Sequence, residues 1–179
     1  MFVQQFHNTI TLRAVFGNMA RPRHVLLVIK DKQGRYLLGA KPELYPPGIY
    51  RFSGGGVEQN ERPLQAALRE AQEELGLSLR ENQLTPIAEI ITQATFQDKQ
   101  LQNRTTLFLL ALDDSQTIVP GDDIAYLQPH TPQELQALIQ RYRSFPPDEV
   151  SQDGDYQVFW QDYGAMYAFI HQVALDVTQ

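Results

Sequence analysis

The sequence predicts an α/β (α+β) domain, in which strands and amphipathic helices pack around one hydrophobic core. Three observations predict this class. Short apolar runs typical of strands recur along the chain, other segments carry apolar residues at helical spacing, and the two kinds are interspersed. The 179 residues suit one domain, and no repeat or flexible linker marks a second. We therefore expect a single domain over residues 1–179, with its core at about 20–145 and a C-terminal helical extension at about 160–177.

The predicted strands are short apolar runs bounded by turn residues. "HVLLVIK" and "RYLLGAK" flank the turn signal "DKQG" and indicate a hairpin. "IYRF" indicates a further short strand just before three glycines. "PIAEIITQATF" and "TTLFLLAL" indicate two more strands, and we expect the polar "QDKQLQNR" between them to be a mobile loop.

Three helices are predicted. In the first, Asn60 is a good N-cap and Gly76 is placed to end the helix. The second begins at Thr131 and Pro132, a common helix-start pair, and continues through "QELQALIQRYRSF". The third, "GAMYAFIHQVALDV", is an amphipathic helix that could pack on the domain or form a dimer seam.

The first helix carries an unusual acidic cluster. Its apolar stripe consists of Leu64, Ala67, Leu68, Ala71 and Leu75. Glu70, Glu73 and Glu74 fall roughly opposite, near the C-terminal end, where like charges and the helix dipole both oppose them. Arg69 offsets only part of this charge, whereas a divalent cation would offset the rest, and hard oxygen ligands select Mg²⁺ or Mn²⁺. The alternative is a solvated acidic surface.

The loop before the helix strengthens the metal interpretation. The consecutive glycines Gly54, Gly55 and Gly56 allow the backbone to approach a ligand closely or to adopt a positive φ. Glu58 and Glu61 add two acids beside them. A turn without a ligand is the alternative for a glycine triplet alone.

The spacing of these residues resembles the Nudix box, the signature of the Nudix hydrolases. Gly55 is followed after five residues by Glu61 and after seven more by "REAQEELGL", which begins at Arg69, so every fixed residue of the 23-residue motif matches. Ala71 stands where the family usually has a larger aliphatic residue. The resemblance implies the Nudix fold, an α/β/α sandwich around a mixed sheet. It also implies hydrolysis of a nucleoside diphosphate linked to another group X.

The resemblance further implies a set of site residues. Glu70 and Glu74 would bind the catalytic Mg²⁺ or Mn²⁺ directly, and Glu73 would be a ligand or the base. The backbone carbonyl of Gly54 would be another ligand, and Arg69 would orient the glutamates. A bound cation would neutralise pyrophosphate charge and lower the pKa of the attacking water.

Further acids are candidates for supporting roles. Glu58 and Glu61 would support the loop or the outer shell of the metal. Members of the family often use an acid from outside the box, for which Glu89, Asp122 and Asp123 are the candidates. Asp122 or Asp123 is favoured by its position in the chain, and a hydrophilic turn is the alternative there.

Substrate-binding residues are harder to identify. Tyr50, Arg51 and Phe52, just before the glycines, and Arg104 could provide a phosphate clamp and a stacking surface, although structural roles are the alternative. The residues typical of three subfamilies are missing. The region past the box reads "TQATF", so it has neither the proline of ADP-ribose hydrolases nor the tyrosine of dinucleoside polyphosphate hydrolases. The Ser-Gln-Pro-Trp motif of NADH hydrolases does not occur either.

Bulk composition limits the partners. The net charge of −6 and a pI of about 5.1 argue against polymeric nucleic acid, while a small anionic nucleotide stays possible. The absence of cysteine excludes disulfides and a cysteine nucleophile. The start of the chain does not resemble a signal peptide and no apolar run could span a membrane, so we expect a cytoplasmic protein. We also expect a homodimer, and the alternative function is a non-catalytic nucleotide-binding sensor on the same fold.

Overall fold

A computed structural model describes residues 3–112, 116–121 and 124–179 of the chain. The strands are β1 (Gln5–Leu12), β2 (Arg23–Lys30), β3 (Tyr36–Ala40), β4 (Thr85–Phe96), β5 (Lys99–Ala111), β6 (Tyr126–His130), β7 (Val150–Asp153) and β8 (Tyr156–Phe159). The helices are α1 (Gly17–Ala20), α2 (Pro63–Leu75), α3 (Pro132–Arg143) and α4 (Trp160–Thr178), with a short 3₁₀ turn at Glu81–Gln83.

Six of the described strands form a mixed sheet in the order β1-β4-β5-β2-β3-β6. The pairs β1–β4 and β2–β5 are parallel, and the other neighbours are antiparallel. β7 and β8 form a separate antiparallel hairpin. The prediction of a mixed α/β domain is therefore confirmed.

The alternation of side chains along β2 builds a core on each face of the sheet. Leu26 and Val28 point into the larger core, which includes residues of α3 and α4. Val25, Leu27 and Ile29 point into the smaller core, which includes the apolar residues of α2. The sheet is thus covered on both faces by helices, the sandwich arrangement that the resemblance implied.

Two predictions about strands were wrong. The polar "QDKQLQNR" is not a long loop, because β5 already begins at Lys99 and pairs with β4 up to Phe96, leaving a tight turn in which Gln97 has φ 53°. Exposed and buried residues alternate along this part of β5, as in a strand with one solvent-exposed face. "IYRF" makes a single isolated bridge, between Arg51 and Gly39, and forms no strand. β1 and the β7–β8 hairpin were not predicted.

Helix α2 begins later than the sequence predicted. Asn60 is not its N-cap: it lies in a turn with φ 68°, and the helix starts at Pro63 after Arg62. Gly76 does end the helix, with φ 65° and its N–H bonded to Gln72. The predicted start of the second helix is confirmed, since the Thr131 hydroxyl accepts a hydrogen bond from the Glu134 N–H. Among the residues described, no helix combines the length and apolar character needed to cross a bilayer.

Candidate active site

The glycine loop lies against β2. The N–H groups of Leu27 and Val25 donate to the carbonyls of Ser53 and Gly55 at 2.8 and 2.9 Å. Gly54, between them, has φ 132°, and a Cβ there would lie 2.3 Å from the Val25 carbonyl oxygen. No other residue fits this close approach. A Cβ on Gly55 would lie 2.4 Å from Oε1 of Glu70, so the loop also touches helix α2 on its other side.

Two carboxylates of α2 are turned inward onto this loop. Glu70 and Glu74 are one helical turn apart and only 8% and 5% exposed. Oε2 of Glu74 accepts a hydrogen bond of 2.6 Å from the Gly54 N–H. Burial raises the pKa of both carboxyl groups above the usual range, because the charged form loses hydration. Glu73 instead points outward, with half of its side chain exposed.

Arg69 ties the acids of the box together. Its guanidinium donates to Glu70 at 2.7 Å, to Glu73 at 2.9 Å and to Glu61 at 3.1 Å. It also donates to the Gly56 carbonyl at 2.8 Å, so one side chain connects the loop and the helix. Hydrogen bonds from Arg69 lower the pKa of Glu61 below its usual range. The acidic surface that was the alternative interpretation is therefore an organised cluster.

The loop and the acids line a cleft of about 520 Å³. The predicted site residues that line it are Arg51, Gly54, Arg69, Glu70, Glu73 and Glu74. The structure adds lining residues from distant parts of the chain, namely Asn18, Arg21, His24, Lys41, Asp153, Asp155 and Tyr156. Among these residues, only those of the β7–β8 hairpin have a turn signature in the sequence, which is Asp-Gly at 153–154. Nothing in the spacing indicates that the tip of this hairpin reaches the cleft.

Arg51 is a buried cation in this cleft. It is 8% exposed, its Nη1 donates to the Tyr167 hydroxyl at 3.0 Å, and its Nε is buried without a hydrogen-bond partner among the described residues. Burial, together with the charges of Arg51 and Arg21, lowers the pKa of His24 to about 3. His24 is therefore neutral, and Asn103, 2.7 Å from its Nδ1, also bonds the carbonyl of Arg21. That contact holds this wall of the cleft.

Other predicted site residues lie elsewhere. Phe52 is fully buried and stacks on His171 of α4 at 4.7 Å, so it lies in the core and does not line the cleft. Tyr50 lines a second cavity, beside His130. Arg104 pairs with Glu89 at 3.3 Å across neighbouring strands, and neither lines the cleft. The remaining acid candidates, Asp122 and Asp123, lie outside the described residues.

The acids suit a divalent cation in their chemistry, although they are held by other partners. Within residues 3–112, 116–121 and 124–179, no three acidic or histidine side chains converge as a ligand set. Arg69 donates to Glu70 and Glu73, and Glu74 accepts a hydrogen bond from the Gly54 N–H. The two buried side chains, as ionised carboxylates, are nevertheless the hard oxygen donors that Mg²⁺ or Mn²⁺ prefers.

Sequence comparisons agree with this geometry. The chain is 42% identical over 53 residues to an 8-oxo-dGTP diphosphatase of Proteus vulgaris, a match that covers 29% of this chain and 47% of that protein. It is 33% identical over 94 residues to the nucleoside triphosphatase NudI of Escherichia coli, covering 50% of this chain and 67% of NudI. The chain thus spans about half of the first relative and two thirds of the second.

Solved structures share the fold over more of the chain. The Escherichia coli dihydroneopterin triphosphate pyrophosphohydrolase matches with a TM-score of 0.51 at 24% identity, over 67% of this chain and 85% of its own. RenU, a Nudix hydrolase of M. smegmatis, matches with a TM-score of 0.53 at 20% identity, over 90% and 89%. At these identities the likeness concerns the fold alone. The family model of the NUDIX domain matches residues 20–162, and the chain therefore belongs to the Nudix hydrolase family.

Proposed function

We propose that this protein hydrolyses a nucleoside diphosphate linked to another group X, by attack of water at phosphorus with the help of Mg²⁺ or Mn²⁺. The observation that carries the proposal is the buried pair Glu70 and Glu74, which faces the Gly54–Gly55 loop and lines the cleft with it. Two relatives are named as an 8-oxo-dGTP diphosphatase and a nucleoside triphosphatase, and these names support a nucleotide substrate.

The cation would be held by Glu70, Glu74 and the backbone carbonyl of Gly54, with Glu73 as a further ligand or as the base. Nudix hydrolases generally use divalent metals, and a donor set of carboxylates and a carbonyl suits Mg²⁺ or Mn²⁺. When bound, the cation neutralises pyrophosphate charge and lowers the pKa of the attacking water.

The protein's own residues position these groups. Arg69 fixes the rotamers of Glu70 and Glu73 through its two short hydrogen bonds, and its bond to Gly56 fixes the helix against the loop. The Gly54 N–H fixes Glu74 in the same way. Glu73 is the more exposed acid and can change partner at little cost, which suits a group that accepts a proton from water.

Cationic side chains that line the cleft supply positive charge for the phosphates. Arg51, Arg21 and Lys41 line the same cleft as the acids of α2, and Arg51 is almost fully buried. A guanidinium suits bidentate binding of a phosphate, and it does so more strongly where water is excluded. The pyrophosphate would therefore lie between these cations and the carboxylates of α2.

A hydrolysis screen tests the proposal. Wild type is assayed with Mg²⁺ or Mn²⁺ against nucleoside triphosphates, nucleotide sugars, ADP-ribose, dinucleoside polyphosphates and NADH, with phosphatase coupling. We expect metal-dependent turnover of one class, reduced on the order of a thousandfold by Glu70→Gln, because the cation loses a charged ligand. Asp98→Asn, in the β4–β5 turn, is the matched control and keeps full activity.

Two outcomes would contradict the proposal. Undiminished metal-dependent hydrolysis by a folded Glu70→Gln protein would remove Glu70 from the site. No hydrolysis of any substrate, with nucleotide binding still visible as a thermal shift, would support the non-catalytic sensor instead.

A further inference from the structure

The main chain of Arg51 is fixed against the sheet. Its N–H donates to the Gly39 carbonyl of β3 at 3.1 Å, and its own carbonyl accepts from the Gly39 N–H at 2.7 Å. The side chain is almost fully buried and lines the same cleft as Glu70 and Glu74. An arginine side chain has many rotamers, so a fixed main chain does not by itself give the guanidinium one direction. That direction depends on the contacts of the guanidinium itself.

Tyr167 of α4 makes the hydrogen bond that orients this guanidinium. Its hydroxyl accepts from Nη1 of Arg51 at 3.0 Å, and no other described residue forms a hydrogen bond with the Arg51 side chain. Tyr167 is fully buried and is not among the described residues that line the cleft. Because its hydroxyl has no access to the cleft, it can act on a ligand only through Arg51.

The Tyr167 hydroxyl is itself held in place from several parts of the chain. Asn18 of α1 donates to it through Nδ2, and Asn103 of β5 donates to the Asn18 carbonyl at 3.0 Å. The ring of Tyr167 stacks on that of Tyr163, with the centroids 4.2 Å apart. The oxygen therefore accepts two hydrogen bonds, one from Arg51 and one from Asn18, which is the number that its lone pairs allow. Its position is well determined.

The chemistry of this acceptor preserves the charge of Arg51. A tyrosine hydroxyl is neutral, so it orients the guanidinium without forming an ion pair with it. Arg69 differs in this respect, because it donates to the carboxylates of Glu61, Glu70 and Glu73. Arg51 is thus a buried cation with a fixed direction and an uncompensated charge, which suits the binding of an anion.

We propose that Tyr167 is a positioning residue for phosphate binding: its hydroxyl, held by Asn18, directs the Arg51 guanidinium toward the phosphates of the substrate. This inference rests on the proposed function, in which a pyrophosphate group binds to the cations of the cleft. Without the hydroxyl, the guanidinium has no hydrogen-bond partner among the described residues and is free to rotate. Binding of pyrophosphate should then weaken, whereas the carboxylates of α2 and their chemistry should be unaffected.

Calorimetric titration with inorganic pyrophosphate in the presence of Mg²⁺ tests this role without requiring turnover. Tyr167→Phe removes the hydroxyl and keeps the stacked ring, whose centroid lies 5.9 Å from the guanidinium carbon of Arg51. We expect pyrophosphate to bind about tenfold more weakly, the size of a hydrogen bond to a charged group. Tyr36→Phe is the matched control, because it removes another buried hydroxyl, bonded to Thr178 outside the cleft, and should leave the affinity unchanged.

A double-mutant cycle with Arg51→Met distinguishes positioning from packing. If Tyr167 acts through Arg51, Tyr167→Phe should change pyrophosphate affinity by less than about twofold in the Arg51→Met protein. A tyrosine that only supports the fold would weaken binding equally in both backgrounds. Steady-state kinetics provide a second measurement, in which Tyr167→Phe should raise KM for the nucleotide substrate about tenfold and leave kcat unchanged.

A second variant keeps the test decisive if Tyr167→Phe does not fold. Asn18→Ala removes the other hydrogen bond to the hydroxyl and leaves the Asn18 carbonyl in place for Asn103. We expect it to weaken pyrophosphate binding about threefold, and to have no effect in the Arg51→Met background. The thermal unfolding temperature of each variant is measured first.

The outcomes separate this proposal from the proposed function. Unchanged pyrophosphate affinity in folded Tyr167→Phe or, in its place, Asn18→Ala, an equal loss in the Arg51→Met background, or no binding by wild type would each overturn the positioning role. A fall in kcat with KM unchanged would also overturn it. A protein that shows the expected affinities but hydrolyses nothing would refute the hydrolase alone. A metal-dependent hydrolase whose KM does not respond to Tyr167→Phe would refute the role of Tyr167 alone.

Discussion

Two arginines line the same cleft in opposite surroundings. Arg69 donates to three carboxylates and a backbone carbonyl, and a quarter of its side chain is exposed. Arg51 is almost fully buried and donates to the Tyr167 hydroxyl, and none of the described carboxylates lies within ion-pair distance of it. One guanidinium has its full set of anions, and the other has none at close range.

This difference indicates that the two arginines have different roles, one in positioning the carboxylates and the other in binding the substrate. A buried cation without a close counter-ion is costly, and proteins keep such groups when a ligand supplies the missing charge. Arg51 therefore suits an incoming phosphate, whereas Arg69 has no spare capacity and acts on the acids that it holds. Replacement of each arginine should separate substrate binding from stability.

The largest effect is expected at Arg51. Arg51→Met keeps the length and removes the charge, so kcat/KM for the nucleotide substrate should fall about a hundredfold, mainly through KM. Stability should change by less than about 1 kcal/mol, because an apolar group of similar size replaces a poorly paired buried charge. Steady-state kinetics and urea unfolding measure the two effects. Destabilisation by several kcal/mol with KM unchanged would make Arg51 a structural residue.

Arg69 should behave in the reverse way. Arg69→Met leaves Glu61, Glu70 and Glu73 without their shared cation, which should destabilise the metal-free protein by about 2 kcal/mol. This value is at the low end for a broken ion-pair cluster, because Arg69 and Glu73 are partly exposed to water. Added Mg²⁺ should recover part of the loss. Thermal unfolding with and without Mg²⁺ measures both, and an unchanged Tm would show that the cluster contributes nothing.

Glu74 should show a smaller, pH-dependent gain. Its pKa is raised by burial, so the ionised form destabilises the folded state above that pKa, and this penalty disappears as the pH falls through it. Glu74→Gln should thus stabilise the metal-free protein at pH 8 by about 1 kcal/mol, roughly 2–4 °C in Tm. The gain should shrink on acidification. A Tm difference that grows as the pH falls would reverse the assigned direction.

Arg104 should show the smallest effect. Arg104→Ala removes a half-exposed pair with Glu89 on the sheet, for which we expect a loss below about 0.5 kcal/mol and unchanged KM. Tyr36→Phe is a second substitution outside the cleft, and it removes a hydroxyl that is hydrogen-bonded to Thr178 at 2.7 Å. A raised KM for Arg104→Ala would show that Arg104 contributes to substrate binding after all.

The box could be predicted from sequence because its spacing is local. Gly55 and Glu70 are separated by one loop and part of one helix, and their spacing resembles the Nudix box, which implied that they share a site. The inward turn of Glu70 and Glu74 was less visible, since the helical wheel places them opposite the apolar stripe although they face the loop.

What lies beyond the box depended on distant contacts. Phe52 and Arg51 are adjacent in sequence, yet one is buried in the core and the other lines the cleft, which the sequence alone does not indicate. Tyr156 reaches the cleft only because Trp160 and Arg13 anchor its hairpin from other parts of the chain. β5 was partly mistaken for a loop because pairing with β4 overrides the polar composition of its first residues.

The most direct measurement of the central claim is calorimetric titration of Mn²⁺ into the metal-free protein, for wild type and Glu70→Gln. If Glu70 and Glu74 form a divalent-cation site, wild type should bind Mn²⁺ and the variant should bind at least about tenfold more weakly. Equal affinity of the two proteins, or no binding by wild type, would contradict the account.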